Sequence, residues 1–425
     1  MDKCLPLEGI RVVDLTVIWS GPGATMLFGD LGAEVIRVEG IHRLSRQISA
    51  KVTKEGIAAY GYASQTYPDS EPGDRPYDRS SIFNWHSRNK LSAAMCLDTA
   101  GGHEAFLRLI AKSDVFVENN SKKVLGKLGI DWDVLHETNP RLIVARMPPL
   151  GLSGPMSDYL GYGPNFNSLV GIQAMGGREG QDPTTSGDNY HMDEAAPAGL
   201  AFAVMSALWR RERTGVGELI EFPQAENVMQ EIGEYFIDYQ WNGRVPAILG
   251  NSDPVMFQDV LPTAEADVWV AISIRHDLDW TALSSVVGTE NWLEMGRTVG
   301  DRLSNAALLK TALAKWTSGH RVSHIVSSLQ EVGVPASEVM SESRLLEDEH
   351  LADRQWFQWR SHPVVGTHQY PGHPWRATGF DLVWGRPVPS FGEDNEYVYK
   401  EILGYSENEF DELVRQGVAG NEQLV

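Results

Sequence analysis

Cysteine is nearly missing from this chain: 425 residues hold two, Cys4 and Cys96. Two widely separated thiols exclude a disulfide framework and offer no metal-ligand spacing, which points to the reducing cytosol. No apolar run approaches the ~20 residues a membrane-spanning helix needs. The opening Met1-Asp2-Lys3-Cys4-Leu5-Pro6 lacks the basic and apolar regions of a secretory leader and runs straight into a strand pattern. Positive charge is also scarce. With 36 Lys and Arg against 57 Asp and Glu, the formal net charge is −21, which repels nucleic acid and anionic membranes. An anionic ligand would need a local cluster of cations.

The common cofactor signatures are missing too. Gly21-Pro22-Gly23 begins like a dinucleotide fingerprint, but Met26 stands where the third glycine belongs, so NAD is not expected. The chain has no phosphate loop of the G-x-x-x-x-G-K-[ST] type, no G-x-S-x-G elbow and no H-E-x-x-H. Its 12 histidines are scattered, and His86, His191 and His350 read as packing or surface residues rather than ligands, so no metal is expected.

What is present is a repeating α/β rhythm. Ile10–Leu15 reads as a buried strand, followed by the glycine turn, a helix through Met26 and Leu31, and a second strand over Glu34–Val38. Strand patterns return at Ser92–Leu97, Asp114–Glu118 and Leu142–Arg146, with an amphipathic helix over His103–Ala111. This predicts a doubly wound, Rossmann-like domain over residues 1–225. Residues 42–85 hold no sustained period and read as a long surface excursion over the fold. A helix is expected over Ala195–Arg213 and a strand over Gly215–Phe222. Residues 226–349 read as a smaller α+β domain, with a strand at Val268–Ile274 and three helical runs. Residues 350–425 close the chain and return to the large domain.

One carboxylate stands out. Asp193 precedes the long apolar helix, close to its N-cap position. On local sequence two readings stay open: a structural cap, or a carboxylate that the helix N-terminus keeps ionised for nucleophilic attack.

Several segments together resemble a known family, the class III CoA-transferases, which include formyl-CoA:oxalate and carnitine CoA-transferases and α-methylacyl-CoA racemase. The segments that carry the likeness are Leu7–Leu15, Leu31–Glu39, Arg88-Asn89-Lys90 with Ser92, Asp114–Asn119, Asn139–Ile143 and Arg211-Glu212-Arg213-Thr214-Gly215, continuing through Gly250-Asn251, Gly333-Val334-Pro335-Ala336 and His362-Pro363. The family's catalytic aspartate lies eighteen residues before the first Arg of its R-E-R-T-G segment, and the residue eighteen before Arg211 is Asp193. The family usually has Gly-Asp there. This chain has Met192-Asp193, with Gly187-Asp188 nearby as the rival, and the rival would need a five-residue insertion.

The resemblance implies transfer of CoA from an acyl-CoA donor to a carboxylic-acid acceptor through covalent intermediates on Asp193, with neither metal nor ATP. It also implies an interlocked homodimer. By position in the family, Arg37, Lys90 and Lys127 would meet the nucleotide end of CoA, with Ile18 and Asn119 at other CoA contacts. The chain departs from the pattern at Asn120 and Ser121, where an aromatic and an Arg are usual; Lys122 and Lys123 follow and can supply charge instead. The racemase branch pairs its aspartate with a His, whose position in the Leu160-Gly161-Tyr162-Gly163 block is taken by Tyr162. A phenol is a poor base at neutral pH, which favours transfer over racemisation; a non-catalytic CoA-binding or scaffold protein is the remaining alternative. Trp19 stands where small-acid transferases have Gln, and with Tyr162, Trp85 and Phe166 it suggests an aromatic pocket for a bulkier acid.

Overall fold

A computed structural model of the chain describes residues 4–46, 48–58, 66–182, 184, 190–288, 291–382 and 384–425. The chain divides into two compact units, Met1–Val170 with Asn189–Ile237 and Gln358–Val425, and Gly171–Asp188 with Asp238–Phe357. The limits drawn from the sequence, at 225 and 349, fall some residues short of these and leave 171–188 with the large domain.

The first unit is built on six strands: β1 (Arg11–Asp14), β2 (Glu34–Glu39), β3 (Lys90–Ala94), β4 (Val115–Glu118), β5 (Ile143–Arg146) and β6 (Leu219–Glu221). All pair in parallel, in the order β3-β2-β1-β4-β5-β6. This is the doubly wound arrangement expected, and its strand order reverses between β1 and β4. Because helices cover both faces, each strand carries apolar residues on both sides, with charged residues mostly toward its ends. Successive residues point to opposite faces: Val13, Ile36, Phe116 and Val144 face one core, while Val12, Val35, Val117 and Ile143 face the other. The first core is closed by Phe106 and Leu109 of an amphipathic helix. The second is closed by Phe28 and by Leu200 and Val204 of the long helix that carries Asp193.

Five helices position the site. They are α1 (Ser20–Asp30), α2 (Ala100–Ile110), which supplies Phe106 and Leu109, α3 (Val124–Lys127), α4 (Gly163–Leu169) and α5 (His191–Thr214). Gly23 lets α1 pack directly on α5, since a Cβ there would lie 3.0 Å from the Pro197 ring.

Residues 42–85 are not a free surface excursion where described. Arg46, 3% exposed, donates to Glu39 at 2.7 and 2.8 Å and to Asp78 at 2.5 Å, with its guanidinium 3.9 Å from the Phe83 ring centroid. Ion pairs and aromatics at irregular spacing anchor the segment, and neither leaves a hydrophobic period to read.

The second unit holds an antiparallel sheet of β7 (Phe257–Pro262), β8 (Trp269–Ile274) and β9 (Ala336–Val339), covered by helices Asp277–Val287, Ala306–Thr317 and Val322–Glu331 around Ile272, Trp280, Leu309 and Leu329.

Candidate active site

The long helix α5 begins two residues before Asp193, and Tyr190 occupies its N-cap. Asp193 therefore sits in the first turn, its own N–H donating to the Tyr190 carbonyl at 2.9 Å, and it is not the cap that its position in the sequence suggested. Four residues on, Pro197 has no N–H to return to the Asp193 carbonyl. Burial pushes the Asp193 carboxyl up to about 6, and the neighbouring Glu194 charge adds to the shift. The expected bias of the helix N-terminus toward the ionised form is thus outweighed by desolvation. The result is a carboxylate that is more basic than usual, yet largely ionised at neutral pH.

A second element meets this turn from β1. After Asp14 the chain reverses through Ile18, a β-branched residue held at φ 67°, a conformation that side chains of that shape rarely adopt. Asn119 at the end of β4 fixes it: its Oδ1 accepts from the Val17 N–H at 2.7 Å and its Nδ2 donates to the Val17 carbonyl at 2.8 Å. Asn120 adds a bond to the Leu15 carbonyl at 3.0 Å. Gly21 is required here, because a Cβ would lie 2.5 Å from that of Thr16. Trp19 follows the strained residue, and its ring packs edge-on against Tyr190 at 4.8 Å and tilted against His86 at 5.9 Å. The structure thereby brings Ile18, Asn119 and Trp19 to the N-terminal end of the helix that carries Asp193. His86 is buried, and desolvation lowers its pKa to about 3, so it is neutral.

On the other side lies the block Leu160–Gly163. Tyr162 caps α4 and is 62% exposed. The next residue, Gly163, presses against the nucleophile candidate: a Cβ there would stand 1.9 Å from Asp193 Oδ2. Phe166 is buried, and Trp85 lines a cavity of about 380 Å³ with Tyr67 and Tyr370.

Arg37 and Lys90 are both buried and bonded within the protein. Lys90 is fully buried and spends all three donors within the protein, on Asp14 at 2.9 Å, the Pro22 carbonyl at 2.8 Å and Thr25 at 2.7 Å. Arg37, 2% exposed, donates to Glu39 at 3.2 Å and to the Ser45 carbonyl at 2.7 Å, and lies 3.6 Å from Asp14. Burial alone would raise the Asp14 carboxyl, but Lys90, Arg37 and the Thr16 hydroxyl together hold it at about 2. Their geometry is that of a buried charge network joining β1, β2 and β3, and it does not support the nucleotide contacts expected of them.

At the point where the strand order reverses, the carboxyl ends of the strands enclose a cavity of about 240 Å³, lined by Thr16, Val38, Met95, Leu97, Asn120 and Val124. Such crevices are where doubly wound sheets take their ligands. Arg43 borders it too, half-exposed and only loosely paired with Asp98 at 3.7 Å. Lys127 is exposed at the end of α3, beside the lining residues Val124 and Leu128. Lys122 and Lys123 reach instead to Ser157 and Asp158, at 3.1 and 2.9 Å. Sequence reasoning missed Arg43 and Gly163; the position of Arg43 just after β2 was the available signal, while nothing local marks Gly163. The rival pair Gly187-Asp188 lies outside the described residues. Among the described residues no group of three or more His, Cys, Asp or Glu is placed to hold a metal, and no helix is long and apolar enough to cross a membrane.

The fold and the strained turn beside Asp193 are those of a doubly wound α/β protein, and comparison with known proteins gives its family. The chain matches CoA-transferase family III over residues 7–395. It belongs to that family and is an enzyme of the CoA-transferase class. A probable CoA-transferase of Mycobacterium tuberculosis is 30% identical over 97% of this chain, which spans 50% of that protein's length. The succinyl-CoA–D-citramalate CoA-transferase of Chloroflexus aurantiacus is 28% identical over 95% of this chain and 96% of its own. The crystal structure of a CAIB/BAIF family protein from Brucella suis superposes with a TM-score of 0.80 at 25% identity, covering 94% of this chain and 99% of the other.

Proposed function

We propose that this protein moves CoA from an acyl-CoA thioester to a free carboxylic acid, with Asp193 as the covalent nucleophile. The observation that carries this is the half-buried Asp193 carboxyl, pushed up to about 6 and, among the described residues, committed to no cap or ion pair. A carboxylate so placed attacks the thioester carbonyl, forming an O–C bond as the C–S bond breaks, and CoA leaves as the thiolate. The thiolate then attacks the aspartyl carbonyl of the anhydride, releases the donor acid and leaves an aspartyl-CoA thioester. The acceptor carboxylate repeats the exchange in reverse. Every step trades groups of similar energy, so no external energy source is needed.

CoA would lie with its nucleotide end in the crevice at the strand-order reversal. At about 240 Å³ the cavity is smaller than the ~300–1,000 Å³ of a drug-sized site, so it suits one end of the molecule, with Arg43 and Lys127 at its rim to meet phosphate charge. Ile18 and Asn119 would guide the rest of the molecule toward Asp193. Relatives are named for citramalate and oxalate, which favours a short, polar acid, whereas Trp19 and the exposed Tyr162 favour a bulkier one. A library spanning both kinds separates the two.

Assembly as a homodimer accompanies this reading. The solvent face of α5 carries Phe202, Met205 and Trp209, exposed by 76, 38 and 67%, an apolar stripe at helical spacing that a lone soluble chain would seldom leave uncovered.

The test is mass spectrometry of CoA exchange between a mixed acyl-CoA pool and a carboxylic-acid library, with hydroxylamine trapping. Wild type should exchange and carry the label at Asp193, and Asp193→Ala should do neither. Exchange of the α-proton alone, without any acceptor acid, would make the protein a racemase. CoA binding without exchange across the library would make it a binding protein.

A further inference from the structure

Glycine at position 163 is not required by the backbone. It is the first residue of α4 and does not adopt the left-handed conformation, and inside a helix glycine is less favourable than alanine because the unfolded chain loses more freedom. Elsewhere in the fold, crowding explains a glycine through immovable main chain: a Cβ on Gly102 would strike the Cys96 carbonyl oxygen at 1.9 Å, and one on Gly217 the Leu142 carbonyl oxygen at 2.0 Å. At Gly163 the obstacle is of another kind. The three atoms nearest the missing Cβ all belong to the Asp193 carboxyl group, Oδ2 at 1.9 Å, Cγ at 3.1 Å and Oδ1 at 3.9 Å. A side-chain carboxyl can rotate away from a methyl group, so alanine would be tolerated by the fold and resented only by the orientation of Asp193.

We propose that Gly163 is a positioning residue for the transfer reaction: the space left by its absent side chain admits the Asp193 rotamer that sets Oδ2 against the α4 main chain, which a larger residue would exclude, and leaves Oδ1, the farther oxygen, as the attacking atom. This rests on the reading of Asp193 as the nucleophile and adds which oxygen does which job. Oδ1 forms the bond to the acyl carbon as the C–S bond breaks, and Oδ2 remains as the carbonyl oxygen of the anhydride. The returning thiolate then adds at Cγ and expels the donor acid with Oδ1. The same close contact strips water from one side of the carboxyl, in keeping with the desolvation that raises its pKa.

The test uses the full chain with Gly163→Ala, Asp193→Ala and the double variant. Gly163→Ala should keep the wild-type melting temperature and a KM for acyl-CoA within about twofold, while kcat falls by about 100-fold, the scale of a 1 Å misplacement. Its acid limb in the pH–rate profile should move to lower pH as the carboxyl leaves its desolvated slot. If Gly163→Ala keeps wild-type kcat while Asp193→Ala is dead, the positioning role is overturned and the nucleophile stands. If Asp193→Ala itself still exchanges CoA, the underlying reading has failed instead. Should Gly163→Ala not fold, recovery of folding in the double variant places the clash on the Asp193 carboxyl, and failure of both overturns the proposal.

Discussion

At the scale of single residues, two influences on Asp193 oppose one another. The first turn of a helix favours a charged carboxylate, yet burial and the adjacent Glu194 drive its pKa to about 6. A nucleophile must be ionised, so the rate should climb with pH through about 6 and level off above it. Glu194→Gln removes the smaller of the two causes. Its acid limb should therefore shift to lower pH but stop well above that of an ordinary carboxylate, because burial remains. A pH–rate profile of CoA exchange for both proteins checks this, and an unmoved limb would mean that Glu194 does not act on Asp193. As a candidate, the aspartate was legible from its place before the long helix and from its spacing to Arg211. Its neighbour in space was not: Gly163 lies thirty residues away, and nothing in a glycine announces what it makes room for.

At the scale of elements, strands and helices were legible because their signal is local. The short apolar stretches of β1, β4 and β5 and the core spacing of Leu200, Val204 and Ala207 in α5 were readable, within a few residues at each end. The charges between the strands were not legible. Arg37 and Lys90 look from the sequence like cations awaiting a phosphate, but the parallel sheet brings β1, β2 and β3 side by side and sets both against Asp14. Spatial pairing of this kind leaves no trace at any fixed spacing. It does make a prediction about stability. Burial opposes ionisation of Asp14 and Glu39, but their cationic partners hold both at about 2. Their folded pKa values are thus depressed, so the stability they contribute is present above the ordinary carboxylate range and is lost as pH falls from about 4.5 toward 2. Asp14→Asn leaves the buried Lys90 ammonium without its counter-charge, and breaking such a pair costs about 3–5 kcal/mol. Urea unfolding at pH 7 should show that loss, with the mutant's deficit shrinking in acid. An Asp14→Asn protein as stable as wild type would mean that the network is not a structural one.

At the scale of the whole molecule, charge and exposed surface make separate demands. A net charge of −21 works against a polyanionic ligand, so the few cations at the strand-order reversal, Arg43 and Lys127, must act locally. The apolar face of α5 makes the opposite demand, for cover. Phe202, Met205 and Trp209 follow each other at intervals of three and four residues on the side of the helix away from Leu200, Val204 and Leu208, which the core buries. Covering such a stripe with a second copy would remove it from water at about 25 cal/mol per Å². If the two copies interlock, they cannot separate without unfolding, and the dimer will show no folded monomer however far it is diluted. Sedimentation of wild type from micromolar to low nanomolar concentration should give one species of twice the chain mass. Phe202→Asp together with Trp209→Asp should then yield unfolded or aggregated chain rather than a smaller folded one. A folded, monomeric double variant would show that the stripe is a simple docking face, and a folded wild-type monomer on dilution would remove the interlock altogether.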